Sequence, residues 1–240
     1  MNNAHPLDIG EIARKIKNDI DLTKASLSDT NFYNSLTLCV IDAVFSIGVR
    51  YTSVINTIDN YVKFFDLKTY RPSGLSGYPE FKEQDCLSDL IKNIDELSID
   101  FFTKNVFKNR QRTSTTNGIL KTEATYKFAK VLHKNSINSF DDIQKLFDSS
   151  ELIKSEVREI PGQKSGISFD YFLMLCGNNN LIKPDRMIKR YLERATGLKL
   201  SQDKLLYILQ EVSYHLKSEY KNLNPRLLDH EIWKFERQKN

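Results

Sequence analysis

The sequence of 240 residues has little of what builds disulfide frameworks, cysteine-bound metal clusters or membrane spans. Its three cysteines, Cys39, Cys86 and Cys176, are odd in number and far apart. Such a set does not make a disulfide framework, and it is too small for a four-cysteine zinc or iron–sulfur site. No apolar run approaches the ~20 residues that a helix needs to cross a bilayer. We therefore predict a protein without disulfides, without a metal site and without a membrane span.

The amino terminus also lacks a targeting pattern. Residues 1–6 show no charged stretch followed by an apolar one, so we predict no signal peptide and a cytoplasmic location. Hydrophobic residues make up 40% and charged residues 28% of the chain, which is ordinary for a globular protein. A chain of this length buries a full core, either as one large domain or as two small interleaved ones.

No strand pattern of convincing length is present, whereas apolar residues recur three and four positions apart along most of the chain. The predicted fold class is all-α, with roughly ten helices. Helices are predicted over 8–25, from 34 up to a break at 46–50, and over 52–65, 85–108 and 119–132, with shorter ones from 139 and 149 and three after residue 185. Residues 68–81 are rich in Pro, Gly and Ser and predict a loop.

The net charge of +4 is mild, but the basic residues gather in two stretches. Residues 183–199 hold six basic residues against two acidic ones, and residues 104–112 hold four basic residues and no acid. The second stretch runs into the polar segment 108–118, where Arg110 and Arg112 lie among hydroxyl side chains suited to phosphate oxygens. This distribution favours contact with phosphate. Solvated charged faces and a mobile surface loop are the alternatives.

Residues 157–190 carry the pattern that says most about function. Pro161-Gly162 and Gly166 separate two helical patterns, which predicts a helix, a tight glycine hairpin and a second helix. Asp185 follows Gly162 by 23 residues. This order resembles the helix-hairpin-helix DNA glycosylases of the endonuclease III and 3-methyladenine glycosylase type, in a divergent form without an iron–sulfur cluster. The resemblance covers about residues 34–232.

The resemblance implies two helical lobes with a cleft that receives a flipped nucleotide. The middle lobe would span 85–182 and end in the helix-hairpin-helix, the second would combine 1–66 with 183–240, and 67–84 would connect them. It also implies a monomer whose partner is double-stranded DNA with a modified base. No cofactor or metal is expected, and a monovalent cation at the hairpin backbone is left open.

In the family, the hairpin grips one DNA phosphate. Glycine amides in a tight turn and the N-terminus of the next helix form a small anion cradle, and the resemblance assigns it to Gly162, Lys164 and Gly166. The family hairpin is Pro-Gly-x-Gly. Either Lys164 replaces the second glycine, or the hairpin is two residues longer and Gly166 is that glycine. The family's lyase lysine then falls on Gly166 or Ser168, and neither is an amine. We therefore predict base removal without strand cleavage.

The catalytic role falls to Asp185 by the same resemblance. This residue follows Lys183-Pro184, where proline begins another helix, and a helix N-terminus favours a charged carboxylate. Breaking an N-glycosidic bond builds positive charge on the sugar. A fixed anion that also positions a water suits that reaction. The alternative is that Asp185 only caps its helix.

Further DNA contacts are expected around these residues. On the helix after Asp185, Arg186 and Arg190 share one face, and we assign them to phosphates together with Arg110 and Arg112. In the family, the first helix pair carries a loop that fills the duplex where a base has left. Gly48 stands at the family's glutamine position, so Arg50 or Tyr51 becomes the candidate filler, or the segment is a plain helix–loop–helix with Gly48 as cap.

The residues expected to line a base pocket are Phe45, Tyr51, Phe169 and Trp233, with a core role as the alternative for Trp233. The sequence thus predicts a monofunctional DNA glycosylase that removes a damaged or modified base for repair, or a hypermodified base from bacteriophage DNA for defence. The second hypothesis is a non-catalytic helix-hairpin-helix module that binds DNA. The third is an all-α scaffold without a nucleic-acid role.

Overall fold

The computed structural model describes residues 8–72, 77–183 and 185–239. Over these ranges the chain is helical, and its only β pairing consists of two isolated bridges, Tyr33 with Tyr70 and Arg112 with Leu120. The predicted all-α class with roughly ten helices is confirmed. No helix in the described ranges is long and apolar enough to cross a membrane.

Twelve α-helical segments follow one another in the described part of the chain. They are α1 Ile9–Asp19, α2 Leu36–Phe45, α3 Tyr51–Phe65, α4 Leu87–Leu97, α5 Ile99–Phe101, α6 Lys121–Lys134, α7 Ile143–Asp148, α8 Ser150–Arg158, α9 Ile167–Leu175, α10 Arg186–Thr196, α11 Gln202–Leu216 and α12 Pro225–Gln238. The predicted helix 85–108 is divided, because Ser98 adopts a φ of 78° and ends α4. The chain then continues through α5 into a π-helical turn, Phe102–Val106.

The described chain divides into two compact units. Unit 1 comprises the described parts of Met1–Leu27 and Asn178–Asn240, and unit 2 comprises those of Ser28–Gly177. This division differs from the predicted one, in which residues 34–66 joined both chain ends. Those residues form α2 and α3, and α2 packs against α3, α6 and α9 inside unit 2. The physical reason is that α2 is apolar all round and needs cover on every side.

Unit 1 is built from α1, α10, α11 and α12. Helix α1 packs on α11, and α12 packs on both α10 and α11. Its apolar core includes Ile16, Leu192, Leu209 and Leu228.

Unit 2 is organised around α2, all ten residues of which are buried. One of the ten is charged. The carboxylate of Asp42 accepts hydrogen bonds from the hydroxyls of Tyr33 (2.8 Å) and Tyr171 (3.3 Å). A buried carboxylate is tolerated only when such donors replace water. Since Tyr171 belongs to α9, this bond also ties α9 to α2.

The C-terminal end of α2 is capped by a buried lysine. Nζ of Lys121, on α6, donates to the carbonyl oxygens of Phe45 (2.8 Å) and Ile47 (2.7 Å). Carbonyls at the end of a helix have no partner within the helix and carry the negative end of its dipole. The lysine therefore satisfies one buried and one partly buried acceptor and fixes the start of the loop between α2 and α3.

A second acid, which is partly buried, lies beside α3. The carboxylate of Asp85 accepts a hydrogen bond from the hydroxyl of Tyr61 (2.8 Å). Burial raises the pKa of Asp85 to about 7, against the opposing effect of the Tyr61 bond. This folded-state pKa lies above the unfolded value of about 4. The protonated carboxyl therefore makes its whole contribution to the free energy of unfolding below pH ~4. This contribution is lost as the pH rises to about 7.

We predict that Lys121→Met lowers the free energy of unfolding by ~2–3 kcal/mol, because it removes the lysine donor from one buried and one partly buried carbonyl. Chemical denaturation measures the change. The matched control is Lys127→Met on the same helix, which removes only a partly exposed i,i+4 ion pair with Glu123 (2.7 Å). That control is expected to cost ~0.5 kcal/mol or less. Equal losses in the two variants would contradict the capping role.

We also predict that Asp85→Asn removes a fall in stability between about pH 4 and pH 7. The difference in unfolding free energy between the parent and this variant should change by ~2 kcal/mol across that window, allowing for partial exposure of the carboxyl. Tyr61→Phe should move the fall to higher pH, because it deletes a bond that favours the charged form. Denaturation at a series of pH values tests this, and parallel curves for parent and Asp85→Asn would refute it.

Candidate functional site

The predicted helix-hairpin-helix is present in unit 2. Helix α8 ends at Arg158, a turn follows, and α9 begins at Ile167. Gly162 has a φ of 87° and Gly166 a φ of 76°, whereas Lys164 is not among the left-handed residues. The left-handed conformation of Gly166 favours the longer of the two predicted registers, in which Gly166 is the second glycine. A residue with a Cβ at either glycine would be strained.

The turn exposes backbone donors. Its amides at Gln163 and Gly166 are used internally, each in a 2.9 Å bond to the carbonyl three residues earlier. The amides of Gly162, Lys164 and Ser165 donate to no protein acceptor among the described residues, and all three residues are exposed. Exposed amides beside the N-terminus of α9 make a cradle for an anion.

The inner side of the hairpin is closed. Ser168 and Gln163 are buried, and the Ser168 hydroxyl donates to the side-chain oxygen of Gln163. In the longer register, the predicted position of the glycosylases' lyase lysine falls on Ser168. Lys154 of α8 and Asp170 of α9 form a 2.7 Å ion pair that joins the two helices.

The basic segment 108–118 is an ordered turn and contacts the hairpin. Its ends pair through the amide of Thr113 and the carbonyl of Ile119 (2.9 Å), and Nε of Arg112 donates to the carbonyl of Gly118 (2.7 Å). A Cβ at Gly162 would overlap the Thr113 side chain. This close approach places the segment against the hairpin. The predicted phosphate ligands Arg110, Arg112 and Lys164 are all exposed, and they lie on these two adjoining segments of unit 2.

Asp185 lies in unit 1 and caps α10. Its Oδ1 accepts the amides of Met187 (2.8 Å) and Ile188 (3.1 Å), and its own amide donates to the carbonyl of Lys183 (2.7 Å). The described residues offer no second donor to this carboxylate, so Oδ2 is left for a water or a ligand. Pro184, predicted to begin the helix, lies outside the described residues.

The sequence reasoning missed a second carboxyl group near Asp185. Asp229 on α12 is only 7% exposed. Burial raises its pKa well above the ordinary range, and the charge of Asp185 adds to this, while Lys183 and Arg226 oppose it. The sequence does carry a signal for this group. Asp229 lies one helical turn from both Pro225 and Ile232, so its spacing places an acid on the buried face of α12.

The other predicted contact residues lie in several environments. Arg186 and Arg190 are exposed on α10. Arg50 stands at the N-cap of α3, and Tyr51 is its first residue. Trp233 packs at the edge of the unit 1 core, with its ring stacked on His230 and beneath Arg237.

The two phenylalanines predicted to line a base pocket are core residues. Phe45 packs against Phe107 with ring centroids 5.2 Å apart, and Phe169 stacks on Phe128 at 6.0 Å. Both rings are fully buried in unit 2. A flipped base does not reach either ring in this conformation. The described residues also contain no group of three His, Cys, Asp or Glu side chains able to hold a metal ion.

Comparison with known proteins gives a family but no activity. A family model described as "Domain of unknown function (DUF8548)" matches residues 10–237. The chain belongs to this family. No curated protein and no solved structure matches it. The resemblance to helix-hairpin-helix glycosylases therefore stays a prediction, based on the hairpin, the loop beside it and Asp185.

We predict that Gly162→Ala lowers the free energy of unfolding by ~2–4 kcal/mol, since it combines left-handed strain with overlap at Thr113. Gly197→Ala is the matched control, because Gly197 also has a positive φ (68°) but nothing within 4 Å of its Cβ position. The control should cost only ~1 kcal/mol. Adding Thr113→Gly should recover part of the Gly162→Ala loss, whereas Thr113→Ala should not, because the Cβ of Thr113 is itself in the way. Equal losses of unfolding free energy in Gly162→Ala and Gly197→Ala would contradict the contact between the segment 108–118 and the hairpin.

Proposed function

We propose that this protein binds double-stranded DNA through the hairpin and the segment 108–118, and hydrolyses the N-glycosidic bond of a modified base. Asp185 is the proposed catalytic carboxylate. The observation that carries the proposal is the exposed hairpin turn with three unused amides, next to Lys164, Arg110 and Arg112. It is an anion cradle beside exposed cationic side chains, the combination that a DNA phosphate requires.

The binding step follows from the chemistry of the turn. Backbone amides and arginines contact phosphate oxygens whatever the base sequence. Binding through them releases counterions, so affinity falls steeply as salt rises. The hairpin therefore supports recognition of the DNA backbone rather than of a particular sequence.

The chemical step assigned to Asp185 is a substitution at the sugar. The bond between C1′ and the base nitrogen breaks, and its electron pair leaves with the base, which takes up a proton. A water oxygen forms the new bond to C1′ and releases its proton to Asp185 or to solvent. Because both capping amides use Oδ1, Oδ2 is free to orient that water and to face the positive charge on the sugar.

A lyase step is not part of the proposal. It needs an amine that attacks C1′ and then promotes strand cleavage. The hairpin position where the family has its lysine is occupied here by Ser168, whose hydroxyl is buried and bonded to Gln163. The expected product is an abasic site in an intact strand.

The second candidate function is DNA binding without turnover. The observation that favours it is the pair of capping bonds at Asp185, since a helix cap accounts for an aspartate at this position without any catalysis. This candidate shares the hairpin and predicts the same salt-dependent binding. The two functions differ only in whether an abasic site forms.

For binding, we predict that the triple variant Arg110→Gln, Arg112→Gln, Lys164→Gln weakens affinity for an unmodified duplex by 10-fold or more. The slope of log affinity against log salt concentration should also become shallower, by about one unit for each phosphate that the variant no longer neutralises. Lys92→Gln is the control, because Lys92 is an exposed lysine of unit 2 whose nearest partner is Glu96 of its own helix (4.0 Å). Fluorescence anisotropy at several salt concentrations measures both quantities. Unchanged affinity and slope in the triple variant would exclude the hairpin surface as the site of DNA binding.

For catalysis, we predict that Asp185→Asn reduces base release ~100-fold or more while DNA affinity stays within a few-fold. The asparagine oxygen still caps α10, so folding is preserved. Asp8→Asn is the matched control, since Asp8 caps α1 by accepting the amide of Glu11 (3.0 Å). The substrates are alkylated, deaminated, oxidised and hypermodified DNA, assayed for alkali-labile sites and for nicks before alkali. Binding without abasic sites on any substrate supports the second candidate, and nicks before alkali contradict the absence of lyase chemistry.

A further inference from the structure

Asp229 is a buried carboxyl group with no role in the chemistry described so far. Its side chain projects from the first turns of α12, a helix that packs against α10. Its Oδ1 is buried and has no hydrogen-bond partner in the described part of the chain. A charged oxygen in that position is costly, so its retention in the interior calls for a physical reason.

The groups that face Asp229 lie on two elements. The segment before α10 contributes three groups: the backbone amide of Lys183, the ammonium of Lys183 and the carboxylate of Asp185. Of these, the amide donates a hydrogen bond to the carboxyl of Asp229. Helix α12 contributes the guanidinium of Arg226, one turn before Asp229. The backbone amide of Arg226 is in turn anchored on the carbonyl of Asn179 (3.2 Å). All of these groups belong to unit 1.

Lys183 links the two acids. Its amide donates to Asp229, and its carbonyl accepts the amide of Asp185 at 2.7 Å. Asp185 then holds the first turn of α10 through Oδ1. A short chain of bonds thus runs from the buried carboxyl of Asp229 through Lys183 to Asp185.

We propose that Asp229 is a positioning residue for Asp185, holding Lys183 so that the catalytic carboxylate is fixed at the N-terminus of α10. This inference rests on the proposed function of Asp185 and names a second residue on which that function depends. It does not require Asp229 to touch the DNA, and its burial excludes such contact. Burial raises the pKa of Asp229 and so favours its neutral form, which reduces repulsion between two adjacent carboxylates.

The first test uses two substitutions. Asp229→Asn keeps an oxygen acceptor for the Lys183 amide and cannot ionise, so base release at neutral pH should stay within about 3-fold of the parent. Asp229→Leu removes the acceptor, and kcat should fall about 100-fold at unchanged KM, as expected when a catalytic group is displaced. In the parent, activity should decline as the pH rises and Asp229 ionises, and Asp229→Asn should lack that decline. A parental kcat in Asp229→Leu, or the same decline with pH in Asp229→Asn, overturns the proposal.

The second test needs neither activity nor the leucine variant. Carboxyl carbon NMR follows the titration of Asp229 in the parent and in Asp185→Asn. Removal of the neighbouring negative charge should lower the pKa of Asp229, and an unchanged titration overturns the proposal. If no DNA is turned over by the parent, the proposed function fails by itself, and this titration alone then decides whether the two carboxyl groups are coupled.

Discussion

Helix α2 is enclosed on every side by unit 2, so every polar group that it carries must find a partner inside the protein. Two solutions to this constraint shape the unit. Asp42 accepts hydrogen bonds from the hydroxyls of Tyr171, on α9, and Tyr33. Lys121 of α6 caps the carbonyls at the end of α2. Because α9 is also the second helix of the hairpin, the bond that satisfies Asp42 helps to orient the hairpin turn at the surface.

Unit 1 meets a similar constraint by pairing acidic side chains with groups on neighbouring helices. The hydroxyl of Tyr191 donates to Asp19 (3.0 Å), and Arg194 pairs with the almost fully buried carboxylate of Glu236. Asp229 is less well supplied, with one buried oxygen lacking a partner among the described residues. Unit 1 thus pairs a buried glutamate with arginine but leaves one oxygen of Asp229 buried without such a partner among the described residues. Buried polar groups of this kind occur often at functional sites.

The sequence predicted the helices well and the long-range partners poorly. Periodicity located α2, α3, α6 and the hairpin helices because apolar spacing is a local property. It did not predict Ser98, whose positive φ divides a helical pattern. It also placed α2 with the chain ends, because an apolar helix does not encode which neighbours will cover it. At the candidate site, Asp185 and the glycines were recognisable by order along the chain. Asp229 and Lys121 were not, since their roles arise from contacts tens of residues away.

The hairpin register shows how much function can depend on two extra residues. Gly162 and Gly166 are the left-handed positions, so the turn is two residues longer than Pro-Gly-x-Gly. The exposed residues Lys164 and Ser165 lie between the two glycines, and their amides have no acceptor among the described residues. The same insertion moves the position after the hairpin onto Ser168, on the buried side, where a hydroxyl bonded to Gln163 closes the turn. A lysine at that position would have to leave a buried, fully hydrogen-bonded environment to reach a sugar, at the cost of the bond that closes the hairpin. Under the proposed function, a turn built in this way would grip a phosphate rather than attack C1′, and the base-excision chemistry would come from a carboxylate and a water.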